Sequence, residues 1–317
     1  MTIATTERAV RRAADVPSWR PFRVTVARVQ QLTPCFLRIT FTGGDLDEFG
    51  HDGPDQRIKL YLPAAGQGFP EFAEGDWYAQ YRAMDPEARG HLRTYTIRQV
   101  RPAQREVDVD FALHGDAGPA SAWAVRAAAG EEVVLVGPNR LYGADCQGHE
   151  WNPPVDVRDV LIAGDETAVP AIAGILERLR GTLDPGARLQ VFLEVPDDGD
   201  ILPLIAPDQA EITWLSRRRP DGSVTANGEL LVEAVCAAEF GRGARAAALD
   251  ASAVDTVDID LEVLWEVAAA AGSSAYAWIA GEAGAVKTIR RHLVRERGID
   301  KGAVSFMGYW RTGRSEN

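Results

Sequence analysis

The hydrophobic pattern changes character once along the chain, and the change divides it in two. In the first half apolar residues alternate with polar ones. Residues 22–29 run Phe-x-Val-x-Val-x-x-Val, and 36–41 follows a Thr-Pro turn and stops at Gly43-Gly44. Residues 57–62, 92–100, 107–113 and 132–136 read as four further strands, and one helix over 120–129 stops at Gly130. Six strands and one helix predict a small antiparallel barrel, closed so that no strand edge is left open. Residues 66–90 break the alternation; Trp77, Tyr78 and Tyr81 there predict a helix and loop lying over the barrel.

Beyond Trp151-Asn152-Pro153-Pro154 the period lengthens. A short apolar strand at 160–163 precedes Ile172, Ile175, Leu176 and Leu179 at helical spacing over 169–179. Strands at 189–195, 212–215, 276–280 and 304–309 alternate with helices at 230–240, 261–271 and 285–296, the last ended by Gly298. Such alternation predicts a doubly wound parallel sheet. The expected organisation is a mobile extension at 1–17, a barrel domain at 18–152 and an α/β domain at 153–317. Residues 241–258, rich in Ala, Gly and Asp, are expected to form a loop insertion.

At 317 residues two domains are the default, and 46% hydrophobic with 25% charged residues is ordinary for a folded soluble chain. A net charge of −12 argues against a general nucleic-acid or anionic-membrane binder. No apolar run approaches the ~20 residues of a membrane helix, so no membrane insertion is expected. Residues 1–16 lack the apolar centre of a secretory signal. Three scattered cysteines (Cys35, Cys146, Cys236) exclude the usual cysteine metal patterns and suit a reducing compartment, so a cytoplasmic location is expected.

The fourth strand carries the chemistry. Residues 91–98, His-Leu-Arg-Thr-Tyr-Thr-Ile-Arg, put Leu92, Thr94, Thr96 and Arg98 on one face and Arg93, Tyr95 and Ile97 on the other, so neither face is cleanly apolar. Arg93 wants an anion and Tyr95 offers a flat ring beside it; a flavin nucleotide supplies both partners. The plain alternative is a solvated edge strand. Downstream, Gly118-Pro119-Ala120-Ser121 opens a helix with free backbone N–H groups, a suitable seat for a phosphate. Two glycine turns, Gly164-Asp165-Glu166-Thr167 and Gly281-Glu282-Ala283-Gly284, follow strands of the second half, where open sheets bind ligands. The plain reading of both is a helix start, with Thr167 as a cap.

In order, Arg93-x-Tyr95-Thr96-x-Arg98, His114-Gly115, Gly118-Pro119-Ala120-Ser121-x-Trp123-Ala124, Gly164 to Ala171, Ala280 to Ala285 and Gly308-Tyr309-Trp310-Arg311 resemble the siderophore-interacting protein family, from about Pro21 to Gly313. Those are FAD-dependent ferric-siderophore reductases, related in architecture to ferredoxin–NADP reductases. The resemblance implies FAD as cofactor, with Arg93 on its phosphates, Tyr95 on the isoalloxazine and Thr96 at the redox-active edge. Arg98 is implied as a second anion partner, His114 as an FAD contact, and Gly118, Pro119, Ala120 and Ser121 as the pyrophosphate wrap. Asp165, Thr167 and Ala168 are implied at the domain junction beside FAD, and Gly281, Glu282, Ala283 and Gly284 on the nicotinamide side. Tyr309 and Trp310 either cover the flavin or are buried core aromatics, and Trp123 points at the adenosine or into the barrel seam. Lys59 and Arg140 are implied at the substrate, although Asn139 and Leu141-Tyr142 depart from the family's Gly-Pro-Arg-Gly pattern here.

The implied activity passes electrons from NADH, NADPH or a ferredoxin through FAD to Fe(III) in a siderophore, releasing Fe(II). The redox chemistry belongs to the flavin, so no catalytic side chain is expected. The five histidines show no metal-ligand spacing, so iron is expected to arrive in its chelator. Two rivals remain at this level: a flavin reductase that feeds a partner protein, and a non-catalytic siderophore-binding module. Arg217, Arg218 and Arg219 would suit a nucleotide 2′-phosphate or simply be solvated.

Overall fold

The computed structural model describes residues 16–64, 66–70, 76–113, 118–241, 264–268 and 273–313. Its first half is the expected closed barrel. Strands β1 (Trp19–Gln31), β2 (Phe36–Thr42), β3 (Arg57–Leu62), β4 (His91–Arg101), β5 (Glu106–Ala112) and β6 (Glu132–Pro138) close in the order β1-β2-β5-β4-β3-β6, each pair antiparallel. Alternation fills the inside with Phe22, Ile39, Phe41, Ile58, Leu60, Val109 and Leu135, all at 0% exposure. Helix α2 (Pro119–Arg126) plugs one end through Trp123, which stacks near Phe41 and Phe111 and donates its indole N–H to Glu131. Of the two orientations open to Trp123, the buried one holds.

The barrel's outer face is apolar at one corner. Tyr61, Val134 and Val136 point outward there, and the short helix α1 (Trp77–Ala83) covers them. Its Tyr81 meets Tyr61 edge to face at 6.1 Å, and Asp76 caps it by accepting from the N–H groups of Tyr78 and Ala79.

The second half is a six-stranded sheet in the order β10-β12-β11-β7-β8-β9: β7 (Asp159–Gly164), β8 (Arg188–Val195), β9 (Ala210–Ser216), β10 (Trp265–Glu266), β11 (Ala275–Glu282) and β12 (Val304–Trp310). Helix α3 (Val169–Leu179) packs on one face with Val160, Ile162 and Leu193. Helices α4 (Glu229–Ala237) and α5 (Ala283–Arg290) lie on the other, against Leu161, Ala163 and Ile279. The last runs on into a π turn, Arg291–Glu296. Neighbours of β7 leave in opposite directions, so the topological switch falls between β7 and β11.

The doubly wound parallel sheet is as expected and gains one antiparallel edge strand, β10 against β12. One expectation needs correction here. The helix expected over 261–271 is, in its described part, that same edge strand: Gly308 donates its N–H to the Leu264 carbonyl, and Ala268 to the Ser305 hydroxyl. Pairing with β12 and stacking of Trp265 on Tyr309 override a spacing that suited a helix. The expected loop insertion at 241–258 and the extension at 1–17 fall largely outside the described residues.

The two halves are tightly joined. Asp55 of the barrel accepts hydrogen bonds from the Trp278 indole and from the N–H groups of Glu150 and Trp151. Asp200 of the sheet half accepts from Thr33 and the Cys35 N–H of the barrel. Gly174 of α3 lies so close to the β2–β3 loop that a Cβ there would sit 2.3 Å from the Pro54 carbonyl oxygen.

Candidate functional site

Strand β4 is positioned by its ladder with β3. Antiparallel partners share a face, so Tyr61 and Leu92, then Lys59 and Thr94, then Arg57 and Thr96 form successive rungs on the outer surface. Rungs on one face repeat about every 6.8 Å along a strand. Arg93, Tyr95 and Ile97 take the opposite face, as their alternation predicts. The Tyr95 ring packs on Phe111 at 4.4 Å between centroids, and burial raises its phenol above the ordinary value. Among the described residues the Tyr95 hydroxyl has no hydrogen-bond partner, and neither does that of Thr96, a residue only 6% exposed. Neither oxygen is sealed from solvent. Arg93 donates to the Leu92 carbonyl and has a further partner.

The start of α2 has the same unfinished character. Gly118 is its extended N-cap, no side chain among the described residues caps the helix, and Pro119 occupies the first turn. Among the described residues a Cβ on Gly118 would meet nothing within 4 Å. The Ser121 hydroxyl has no partner among the described residues. Ala120 is buried under the helix. His114 lies outside the described residues. An arginine, an unpartnered phenol and hydroxyl on β4, and an uncapped helix start are a donor set that fits a flavin nucleotide with its pyrophosphate.

The sheet side differs. Asp165, 2% exposed, fills both carboxylate oxygens: Oδ1 accepts from the Thr167 N–H and hydroxyl, Oδ2 from the Glu282 N–H and the Trp310 indole, each at 2.7 Å. It therefore ties the ends of β7, β11 and β12 together. Burial, then the charge of Glu166, pushes its pKa up to about 7, against hydrogen bonds from Thr167 and Trp310. Thr167 serves Asp165 and leaves the N-cap of α3 to Ala168, which offers no side-chain hydrogen bond. Gly281 has φ +147°, and a Cβ there would strike Asp165. Glu282 folds back to cap α5, accepting from Gly284 and Ala285; Ala283 is buried beneath.

Glu166, Glu194 and Arg217 form a buried trio across the ends of β7, β8 and β9. Arg217 donates to Glu166 at 2.6 and 2.7 Å and to Glu194 at 3.1 Å, while Glu194 also accepts from Gly228 and Leu231 at the start of α4. Arg218 instead pairs with Asp197 at the surface.

Five other candidates take definite places. The anion held by Arg98 is the protein's own: it pairs with Glu177 of α3 and lies 3.8 Å from Asp110. This pair lines a cleft of about 700 Å³ between the β2–β3 loop, the linker and α3. Tyr309 stacks on Trp265 at 5.9 Å and meets Trp278 edge-on, so it belongs to the packed joint, where Arg57 sits 4.3 Å over Trp265 and pairs with Glu150. Trp310 is partly exposed. Lys59 donates to the Thr94 hydroxyl at 2.6 Å on the open side of the ladder. Arg140 lies beyond the end of β6 in a short 3₁₀ turn, exposed and without a partner among the described residues. Sequence reasoning missed Thr94, Arg57, Trp265 and Glu177, because their roles depend on strand register and on the docking of the halves.

Among the described residues no cluster of three or more His, Cys, Asp or Glu could hold a metal ion, and no helix is long and apolar enough to cross a membrane. Residues 25–142 match the family model "Siderophore-interacting FAD-binding domain", and 157–313 match "Siderophore-interacting protein". An uncharacterised protein of Mycobacterium tuberculosis is 31% identical over 92% of this chain and 90% of its own length. The ferric vibriobactin reductase ViuB of Vibrio cholerae is 34% identical over 62% of this chain and 67% of its own. The crystal structure of the siderophore-interacting protein SipS from Aeromonas hydrophila superposes with a TM-score of 0.66 at 27% identity, covering 95% of both chains. The chain therefore belongs to the siderophore-interacting protein family, flavoproteins with the fold of the ferredoxin–NADP reductases.

Proposed function

We propose that this protein is a cytoplasmic ferric-siderophore reductase, taking electrons from NADH or NADPH and releasing Fe(II) from the chelate. It is built as a flavin-holding barrel domain (18–152) and a donor-receiving α/β domain (153–317). The observation that carries the reading is on β4: the Tyr95 and Thr96 hydroxyls have no partner among the described residues, on the strand that also bears Arg93. FAD, when bound there, supplies the conversion between a two-electron nicotinamide donor and one-electron Fe(III).

The chain's own residues bind and orient. Arg93 and the N–H groups after Gly118 and Pro119 hold the diphosphate, where the helix dipole favours negative charge. Ser121 adds a hydroxyl, and Tyr95 and Thr96 receive the ring system from β4. Lys59 and Arg140 attract an anionic ferric chelate to the open side of the β3–β4 ladder. Fe(II) is a poorer match for hard oxygen donors, so reduction loosens it. On the sheet side the dinucleotide approaches the strand ends at the β7/β11 switch. Asp165 acts there by fixing Trp310 and the Gly281–Gly284 turn rather than by touching cofactor, and Thr167 and Ala168 line the entry to α3.

Purified protein should bind one FAD, and Arg93→Ala should weaken that binding roughly tenfold to a hundredfold, the range for hydrogen bonds to charged groups. Under anaerobic stopped-flow, NADH or NADPH should bleach the flavin and a ferric siderophore should restore its colour, with Fe(II) captured by ferrozine. A protein that takes up no FAD, or whose bleached flavin ignores ferric siderophores, would sink the reading.

A further inference from the structure

Resting on the proposed passage of electrons from a donor on the sheet half to FAD on the barrel, we propose that Arg98 is a positioning residue. Paired with Glu177, it clamps helix α3 and so sets the strand ends of the sheet half against the flavin strand. Arg98 stands two residues after Thr96, where the pairing of β4 with β5 shifts register between Ile97 and Gln99. Such a bulge re-aims a side chain out of its ladder. The Arg98 guanidinium reaches across the joint and donates to both carboxylate oxygens of Glu177, to one of them at 3.0 Å. From the barrel side it is set by Asp110, 3.8 Å away, which is itself held by Arg38 at 2.6 and 2.8 Å. With side chains 17% and 32% exposed, the pair is partly shielded from water, and its fork geometry makes the contact directional.

Helix α3 turns this contact into a lever. Gly174 and Glu177 are three residues apart and share a face. Gly174 bears on the β2–β3 loop, since a Cβ there would sit 2.3 Å from the Pro54 carbonyl oxygen. On one side of that fulcrum Arg98 holds the last turn of the helix. On the other, about 12 Å from Glu177, the first turn lies beside Asp165, which ties the ends of β7, β11 and β12 together. Without the clamp α3 is free to pivot on Gly174 into the cleft of about 700 Å³ that Arg98 and Glu177 line. Such a pivot changes the distance between the rim around Asp165 and the Thr96 hydroxyl. In the proposed reaction a hydride, two electrons with one proton, leaves the nicotinamide and is taken up by the flavin. A misplacement of about 1 Å can slow such a step roughly a hundredfold. Arg98 touches neither cofactor nor donor in this scheme; it acts through Glu177.

The test uses full-length, FAD-loaded protein carrying Glu177→Gln, Arg98→Met or both. Bleaching of the flavin by NADH or NADPH should slow about tenfold in each single variant and no further in the double. FAD affinity should hold, and so should the rate at which a ferric tris-hydroxamate reoxidises dithionite-reduced protein. Amide hydrogen exchange should quicken over residues 169–179 and 51–54 and stay unchanged in the barrel strands. An FAD affinity lost in Arg98→Met but kept in Glu177→Gln makes Arg98 a cofactor contact and overturns the clamp. A normal bleaching rate, additive single effects or unaltered exchange in α3 overturns it as well. Equal slowing of both half-reactions does the same, because a merely loosened fold gives that result. A wild-type flavin that neither nucleotide bleaches fails the proposed function itself, and the alignment of the donor with it.

Discussion

At the start of α2 the chain runs Gly118-Pro119-Ala120-Ser121 with no described side chain returning to the helix N–H groups, whereas at the start of α5 Glu282 folds its carboxylate over those of Gly284 and Ala285 at 2.7 and 3.0 Å. Both are glycine-marked helix starts after strands, and in sequence they look alike. One is where the proposed function seats an anion. The other already holds a carboxylate, which competes with any phosphate that would use the same dipole and donors. The rest of each half follows suit. On β4 the hydroxyls of Tyr95 and Thr96 have no partner among the described residues, while Asp165 satisfies four donors and Arg217 is locked between Glu166 and Glu194. A glycine turn says where a ligand has room; only the hydrogen-bond account of its donors says whether one is wanted.

The sharpest way to break that contrast is to open the closed side. Arg217→Met leaves Glu166 and Glu194, with side chains 2% and 0% exposed, as buried charges without their cation. Loss of one partner from a buried ion pair costs about 3–5 kcal/mol. Urea denaturation should show a loss of that size, with the ratio of KM values for NADH and NADPH unchanged. Stability intact with a shifted ratio would make Arg217 a reader of the nucleotide 2′-phosphate, and the sheet rim would be an open site after all.

A smaller effect is expected at the joint between the halves. Helix propensity alone would make alanine about 1 kcal/mol better than glycine in α3. At Gly174 the added Cβ would press on the Pro54 carbonyl, a backbone atom that cannot swing aside. Overpacking of this kind costs about 1–3 kcal/mol. Gly174→Ala should therefore lower the urea midpoint, reversing the sign that the helix prefers. A raised midpoint would mean that α3 and the β2–β3 loop yield easily, and that the two halves are less firmly set against each other.

What the chain discloses in advance follows the range of the interactions. Strand β3 and helix α3 have the ends that alternation and 3.6-residue spacing predict, since both patterns are local. The barrel follows from counting such strands. Segment 264–268 was misread because its partners, Ser305 and Gly308, lie some forty residues away and only pairing turns it into an edge strand. Arg98 looked free for a phosphate because Glu177 comes from the other half of the molecule. Asp165 carries the same sequence signal whether it meets a cofactor or braces Trp310. The polar residues of β4 are the easier signal, since an arginine and a tyrosine on a face meant to be apolar betray themselves within eight residues.

A further contrast between the halves runs through pH. Asp165 on the sheet rim titrates near 7 in the folded chain, raised first by burial, against about 3.9 when unfolded. Between those values the folded state holds a proton that the unfolded chain has released, so stability falls as pH climbs from about 4 to 7. Glu106 on the barrel is the reverse case. Hydrogen bonds from Arg28 first, and from Arg101, hold it at about 2, below the ordinary value of about 4.3. Its contribution is complete above that ordinary value and is lost as pH falls toward 2; it is small because solvent screens an ion pair whose Arg28 partner is half exposed. Melting temperatures across pH 2–8 should show the two slopes with opposite signs. Asp165→Asn should flatten the one between pH 4 and 7, and Glu106→Gln the one below about 4. Slopes of the same sign would mean that the Asp165 carboxylate is stabilised by its four donors as an anion, as Glu106 is by its arginines, and the rim would then be held together by charge at neutral pH.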